Sequence, residues 1–315
     1  MAERVLVTGG LGYIGSILCE HLLDRGFRVT ALDNLRYGIG QQGLFHLCAN
    51  PSFDFIKGDV RDEALMKTVL RQADVIIHLA AVVGAPACDR DPALATSVNL
   101  KAVALLNRLR SPGQLVIYPN TNSGYGTTTG TSFCTEDSPL CPISLYGRTK
   151  VAAERLLLDS PNVIALRLAT VFGMSPRMRL DLLVNHFVYA ACTDGYLVLF
   201  EKDFKRNFVH VRDVADCMLH CIAHADRMAG RAYNVGLDSA NLSKEELALK
   251  VKEHVPGFYI HCAAIGQDPD RRNYIVSSQR LREAGFEARR SLDDGIRELL
   301  KGYRMLGRPA FTNAG

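Results

Sequence analysis

Apolar residues fall along this chain in two kinds of stretch, short unbroken runs and longer segments repeating every three or four positions, and the two kinds take turns. "RVLVTGG" (4–10) is a short run that stops at glycines, and "YIGSILCEHLLDRG" (13–26) then shows helical spacing until Gly26 ends it. "FRVTALD" (27–33) is a second strand. The alternation continues through "FDFIKGD" (53–59), a helix from about Glu63 to Leu70, "DVIIHLAA" (74–81), a helix after Pro92 and "QLVIYPN" (114–120). Strands separated by helices of this length need right-handed crossovers and a parallel sheet covered on both faces. "SLYGRTKVAAERLLLD" (144–159) is one amphipathic helix, followed by the strand "VIALRLA" (163–169).

Beyond Phe172 the texture changes to loops rich in Arg, Pro and Asp, short strands such as "YLVLF" and "NFVHV", and helices near 243–254 and 291–302. The expected organisation is a Rossmann-type α/β fold, a doubly wound parallel sheet spanning 1–172, with a smaller C-terminal α/β substrate lobe over most of 173–315. Later segments are expected to interleave with the main domain. Internal repeats, low-complexity stretches and flexible linkers are absent from the sequence.

Composition narrows the class. The 315 residues are 48% hydrophobic, enough for a substantial core. A net charge of +4, spread over 37 basic and 33 acidic residues without a basic block, gives no electrostatic footprint for nucleic acid. The nine cysteines form no C-x-x-C pair and read as reduced thiols. Cys217 and Cys221, one helical turn apart near His220 and His224, suit either a metal site or an ordinary amphipathic helix, and their spacing favours the helix, so no metal is expected. The first strand begins almost at Met1 and no apolar run reaches membrane-spanning length, so a cytoplasmic location without membrane attachment is expected.

"TGGLGYIG" sets Gly9, Gly12 and Gly15 between a strand and a helix. Glycines there permit a tight turn and let a pyrophosphate approach backbone N–H groups at the positive helix end. Asp33 closes the second strand, where a carboxylate can accept both ribose hydroxyls of an adenosine and would repel a 2′-phosphate. NAD is therefore favoured over NADP, although nearby Arg36 argues the other way. Asp59 and Val60 after the third strand, and Leu79, Ala80 and Ala81 after the fourth, reach the same sheet edge, either flanking adenine and ribose or serving as loop caps.

Tyr146 and Lys150 are four apart and share a helix face. An ammonium beside the phenol favours phenolate and would make Tyr146 a general base, whereas the same pair on a surface helix would do nothing.

The stretches "TGGLGYIGS", "LDNL", "GDVRD", "HLAA", "NTNSGYG", "YGRTK", "LRLATVFG" and "RNFVHVRDVA" together resemble the extended short-chain dehydrogenase/reductase family, the NAD-dependent nucleotide-sugar epimerases and dehydratases, over nearly the whole chain. That resemblance implies that Thr121 hydrogen-bonds the reacting hydroxyl, Tyr146 removes its proton, and Lys150 supports tyrosine and cofactor while hydride passes to NAD. It extends the cofactor set to Tyr13, Ile14, Asn34 and Asn99, and the substrate set to Asn122, Ser123 and Thr170. Arg206 matches the family's arginine to the diphosphate, Arg272 in "DPDRRNY" resembles a second, and Asn185 matches an amide that touches the sugar nucleotide. Guanidinium forks suit phosphate oxygens, but either arginine could instead face solvent. His210 reads as a structural strand residue. Arg177 and Arg179 in "SPRMRLD" either grip phosphate or nucleotide, or cap a loop. "GTTTGTSFCTEDSPLCP" (126–142) reads either as a polar loop that closes over substrate or as an ordinary surface loop. A homodimer is common among proteins of this type.

Within that family, elimination of water needs an acid and a base at the strand end. Asn122 and Ser123 stand there instead, and no cysteine lies between 89 and 133 to serve carbon-acid chemistry. What remains is redox chemistry at a carbinol carbon, most often carbon 4 of the sugar, giving either a 4-keto product or a 4-epimer. "YPNTNSGYG", "AAVVGAPACDRDP" and "ATVFGMSPRMRLDLLVN" resemble a subgroup similar to GDP-D-glycero-D-manno-heptose 4-dehydrogenases, which favours a GDP-sugar over a UDP-sugar.

Overall fold

In the computed structural model, which describes residues 3–38, 41–128, 132–263 and 272–306, the apolar runs read as strands form in the expected order, and further short strands not read from the sequence join them. They are β1 (Arg4–Thr8), β2 (Arg28–Asp33), β3 (Phe53–Lys57), β4 (Val75–His78), β5 (Leu115–Thr121), β6 (Phe133–Cys134), β7 (Val163–Leu168), β8 (Thr170–Phe172), β9 (Tyr196–Leu199), β10 (Lys205–His210), β11 (Arg231–Val235), β12 (Asn241–Ser243), β13 (Tyr259–Cys262) and β14 (Ile275–Val276). Seven of them form one sheet in the order β11-β7-β5-β4-β1-β2-β3, and every neighbouring pair is parallel. This is the doubly wound order of a Rossmann-type fold, in which the chain reverses direction across the sheet between β1 and β4. A crevice opens at that switch, outside the carboxyl ends of the strands.

The strand sequences explain the burial. β4 (VIIH) and β7 (VIALRL) are buried at every position, as expected of strands covered on both faces. The helices Tyr13–Asp24 and Val211–Ala223 cover one side of the sheet, and Leu18, Leu22, Val214 and Met218 join the apolar cluster there. A second cluster on the other face gathers Leu6, Ile76, Val116 and Tyr118 with Met66, Val103, Leu106, Ala153 and Leu157. The helix expected from Glu63 spans Glu63–Leu70, capped by Asp62, whose side chain accepts from the Leu65 N–H. The helix expected after Pro92 is interrupted, because a π-turn at Ser97–Lys101 separates Pro92–Thr96 from Ala102–Leu109.

The remaining strands build three small sheets, β12-β10-β8, β13-β9 and β14-β6, at the carboxyl edge of the main sheet. The chain does not stay in the smaller lobe after residue 172, since β11 returns to pair with β7 and Val211–Ala223 packs on the main sheet. Cys217 and Cys221 are fully buried on that helix, and no group of three or more potential metal ligands occurs among the described residues. Among the same residues no helix is long and apolar enough to cross a membrane.

Candidate active site

A cleft of about 510 Å³ runs along the carboxyl edge of the sheet from the turn after β1 to the smaller lobe. Its size is that of a small-molecule site. Gly9, Gly12, Tyr13, Ile14, Gly15, Asp33, Asn34, Asp59, Val60, Leu79, Ala80, Ala81, Thr121, Ser123, Tyr146, Lys150, Thr170, Arg177, Arg179, Arg206 and Arg272 all line it. One surface therefore brings together most of the residues singled out from sequence.

The turn after β1 is built for close approach. Gly9 has φ +70°, and a Cβ there would come within 2.7 Å of the Ala80 nitrogen. A Cβ on Gly15 would collide with the Gly9 carbonyl, so the helix Tyr13–Asp24 can pack this tightly only because position 15 lacks a side chain. The N-cap, Gly12, contributes no side-chain cap, which leaves the first N–H groups of that helix open toward the cleft. Asp33 Oδ2 accepts from Leu11 N at 3.1 Å and Oδ1 from Leu35 N at 2.9 Å, and both oxygens retain lone pairs for ribose hydroxyls. Burial raises the Asp33 carboxyl above its ordinary value, opposed by those backbone bonds and by the Arg177 charge. Asn34 Nδ2 donates to Asp59 Oδ2, and Arg61 pairs with the same carboxylate at 2.8 Å, which holds Asp59 down at about 2. The glycine cradle, the uncapped helix start and a carboxylate at the end of β2 fit the adenosine diphosphate half of NAD.

Thr121 ends β5. Its Oγ1 accepts from Ser123 N at 3.1 Å and is hydrogen-bonded to Ser123 Oγ at 2.9 Å, and Arg272 Nη1 donates to Ser123 Oγ in turn. Tyr146 and Lys150 share one face of the helix Leu145–Leu158, whose first turn is capped by Ser144 accepting from Gly147 N at 3.1 Å. Their electrostatics differ from the sequence expectation. Lys150 Nζ stands 4.0 Å over the ring of Tyr118, and burial pulls its ammonium down to about 7, with the Glu154 charge working the other way. Burial pushes the Tyr146 phenol up to about 12, and the cations opposing that rise are Arg179 and Arg272. Desolvation thus outweighs the favourable charges, and its size cannot be read from a Tyr-x-x-x-Lys spacing. Burial, then Lys150, also lowers His78 to about 3, so this imidazole, bonded through Nδ1 to Thr8 Oγ1 at 2.9 Å, is neutral.

The Lys150 shift has a measurable consequence. Between about 7, where the folded protein releases this proton, and ~10.4, where an unfolded lysine does, the unfolded chain holds the extra proton. Stability therefore rises with pH across that window. In denaturant titrations without ligand, wild type should gain on Lys150→Met between pH 7 and pH 10, and parallel curves would refute the assignment.

Three amides expected at the ligand do not line the cleft. Asn99, in the π-turn, accepts from Val82 N at 2.8 Å and donates to Val82 O at 2.9 Å, so its amide holds the chain after β4. Asn185 is fully buried, with its amide spent on Gly173 N, Arg179 O and the Tyr13 hydroxyl. Asn122 is fully buried beneath the strand end, and neither amide atom has a partner among the described residues. His210 is structural, bonded to Glu298 at 2.5 Å through Nε2 and accepting from Arg212 N through Nδ1.

The arginines divide. Arg206 and Arg272 lie with Tyr274 and Ser123 at the smaller lobe, Arg206 being 5.8 Å over the Tyr274 ring. Arg179 grips Asp181 through two nitrogens, at 2.9 and 2.5 Å. Arg177 lies 4.6 Å over the ring of Tyr37, near Asp33 and also close enough to feel the Arg179 and Asp181 charges. Tyr37, Asp181, Lys244 and Tyr274 also line the cleft and were not singled out from sequence, where only the arginine-rich flank of Asp181 signalled any of them. Within the loop 126–142, residues 129–131 lie outside the described residues, as do 268–271 just before Arg272.

Comparison with known proteins agrees with this geometry. The low-salt glycan biosynthesis protein Agl12 of Haloferax volcanii is 29% identical over 95% of this chain and 98% of its own length. UDP-glucose 4-epimerase of Azospirillum brasilense is 26% identical over 94% and 90% respectively. Among solved structures, DesIV of Streptomyces venezuelae, a dTDP-glucose 4,6-dehydratase with NAD and TYD bound, superposes with a TM-score of 0.84 at 26% identity, covering 96% of this chain and 97% of that one. The sequence profile of the NAD dependent epimerase/dehydratase family matches residues 5–236, the span from β1 through β11 that builds the glycine cradle, the Thr121 strand end and the Tyr146–Lys150 helix face, and this chain is accordingly an enzyme of that family with NAD as its cofactor.

Proposed function

We propose that this enzyme oxidises carbon 4 of a nucleotide-linked sugar, with Thr121, Tyr146 and Lys150 carrying the step. The observation that supports this reading is the shared cleft, in which the three side chains stand between the glycine cradle and the arginines of the smaller lobe. NAD bound at the cradle supplies the hydride acceptor. Thr121, fixed by its two bonds to Ser123, orients the reacting hydroxyl. Tyr146 takes that hydroxyl's proton when it is itself ionised to phenolate, a form favoured by the Arg179 and Arg272 charges that oppose its burial. Lys150 supplies a nearby cation whose proton is loosely held near neutrality. Arg206, Arg272 and Lys244 form the electropositive end suited to a diphosphate.

Relatives that dehydrate sugars and relatives that epimerise them both resemble this chain. Dehydration asks for an acid at the departing hydroxyl. The candidates here are poorly suited to it. Asn122 is buried away from the cleft, Asp181 is gripped by Arg179, and Cys88, packed beside Tyr146, is fully buried with its thiol pushed up to about 11 by burial. We therefore favour a 4-keto sugar as product, a GDP-heptose as substrate on the strength of the sequence likeness, a homodimer as the assembly and the cytoplasm as the location. Return of the hydride to the opposite face, 4-epimerisation, is the second reading, favoured by the Azospirillum relative. Calorimetric titration with GDP and UDP tests the nucleotide site. Saturable binding, tighter for GDP, is expected, and no saturation with either would contradict the proposal.

A further inference from the structure

Arg177 is a buried cation with no ion pair among the described residues, the nearby Asp33 and Asp181 carboxylates acting on it only at a distance. Its side chain belongs to a residue only 4% exposed, it lines the cleft, and among the described residues it makes a single hydrogen bond, from Nη1 to the Met178 carbonyl at 3.2 Å, and no ion pair. Four of its five donors are unspent. Burying a guanidinium in this way is costly unless an anion completes the site. The neighbouring carboxylate of Asp33 is turned to Leu11 N and Leu35 N.

The surroundings of Arg177 identify the anion. Residues 173–179 are fastened to the first turn of the helix after the glycine cradle. Tyr13 donates its hydroxyl to the Gly173 carbonyl at 2.6 Å, Ser175 donates to the Tyr13 carbonyl at 2.7 Å, and the Ser175 and Ser16 hydroxyls bond at 2.8 Å. Pro176 fits against Gly43, where a Cβ would come within 2.6 Å of the proline Cβ. The segment leading into Arg177 is thus pinned to the uncapped helix start, and the guanidinium lies 4.6 Å over Tyr37 near Asp33, while Arg206 and Arg272 keep company with Tyr274 and Ser123. We infer that Arg177 binds the pyrophosphate of NAD from the smaller lobe, so that the cofactor is clasped between the glycine cradle and residues 173–179. Two charge-assisted bonds from a planar fork suit adjacent phosphate oxygens. The inference rests on the NAD site and is indifferent to which sugar is oxidised.

The test uses full-length Arg177→Met and Arg177→Lys. NAD retained through purification is assayed, and NAD, ADP, NMN, GDP and UDP are titrated by calorimetry. Arg177→Met should weaken NAD and ADP by about tenfold or more, the effect of losing charge-assisted hydrogen bonds, leave NMN, GDP and UDP within about twofold, and retain less NAD, with Arg177→Lys intermediate. Removing an uncompensated charge should leave the ligand-free melting temperature unchanged or raised. Unchanged affinity for NAD and ADP would overturn the inference. So would a loss confined to GDP or UDP, which would return Arg177 to the substrate. Should the Met variant not fold, the Lys variant decides by the same contrast.

Discussion

Tyr146→Phe is expected to lower turnover by about 10³-fold, within the range that a positioned general base contributes, while binding of NAD and of the nucleotide stays within a few-fold. The variant deletes one hydroxyl from a side chain that lines the cleft and leaves the glycine cradle and the arginines in place. Because burial holds this phenol up near about 12, phenolate is scarce at neutrality, and wild-type kcat/KM should climb as pH rises toward the alkaline range. The Phe variant should show no such climb. Lys150→Met should also lose orders of magnitude, and Thr121→Ala less, since that change removes a positioning bond and leaves the proton acceptor. Retained turnover in both Tyr146→Phe and Lys150→Met would remove the mechanism.

Glu154→Ala is expected to cost about 3–5 kcal/mol of folding stability, the usual price of leaving one partner of a buried ion pair uncompensated. Glu154 sits one helical turn beyond Lys150 and is 1% exposed, while its partner Arg167, on β7, is 6% exposed. Arg167 Nη2 donates to Glu154 Oε1 at 2.7 Å, and Asn120 on β5 donates to Oε2 at 2.5 Å. Arg167 continues outward, donating to the Tyr125 hydroxyl at 3.1 Å and the Glu136 carbonyl at 2.9 Å. The carboxylate therefore ties the helix carrying Tyr146 and Lys150 to the strand ending at Thr121. Denaturant midpoints should fall sharply for Glu154→Ala and recover in a Glu154→Leu, Arg167→Met double variant, in which neither charge is left alone. A single variant as stable as wild type would show that the pair does not hold these elements together.

Much of the fold was legible because two periodicities alternate cleanly. Six strands of the main sheet, β1 to β5 and β7, coincide with runs read as strands, whereas the edge strand β11 (RAYNV), broken by Arg231 and Asn234, was not read as one. The glycine cradle was legible for a related reason, since backbone contacts as close as that of Gly9 with Ala80 admit no other residue. The amides were not. Asn99, Asn122 and Asn185 stand at motif positions, and an amide there reads the same whether it meets a ligand or ties down a backbone. Arg177 and Arg179 are two residues apart and lie close to the same groups, yet one stacks on Tyr37 while the other grips Asp181, a distinction their spacing does not disclose. Nor does sequence disclose that the Tyr146 phenol, partly buried at the cleft wall, is desolvated enough for that effect to outweigh the cations near it.

The measurement closest to the central claim is incubation of the purified enzyme with GDP-, UDP- and dTDP-linked sugars, following nicotinamide absorbance and identifying the recovered sugar by mass and NMR. A 4-keto sugar, or a 4-epimer of unchanged mass, is the predicted product. Recovery of a deoxy sugar lighter by one water, or release of carbon dioxide, would contradict it.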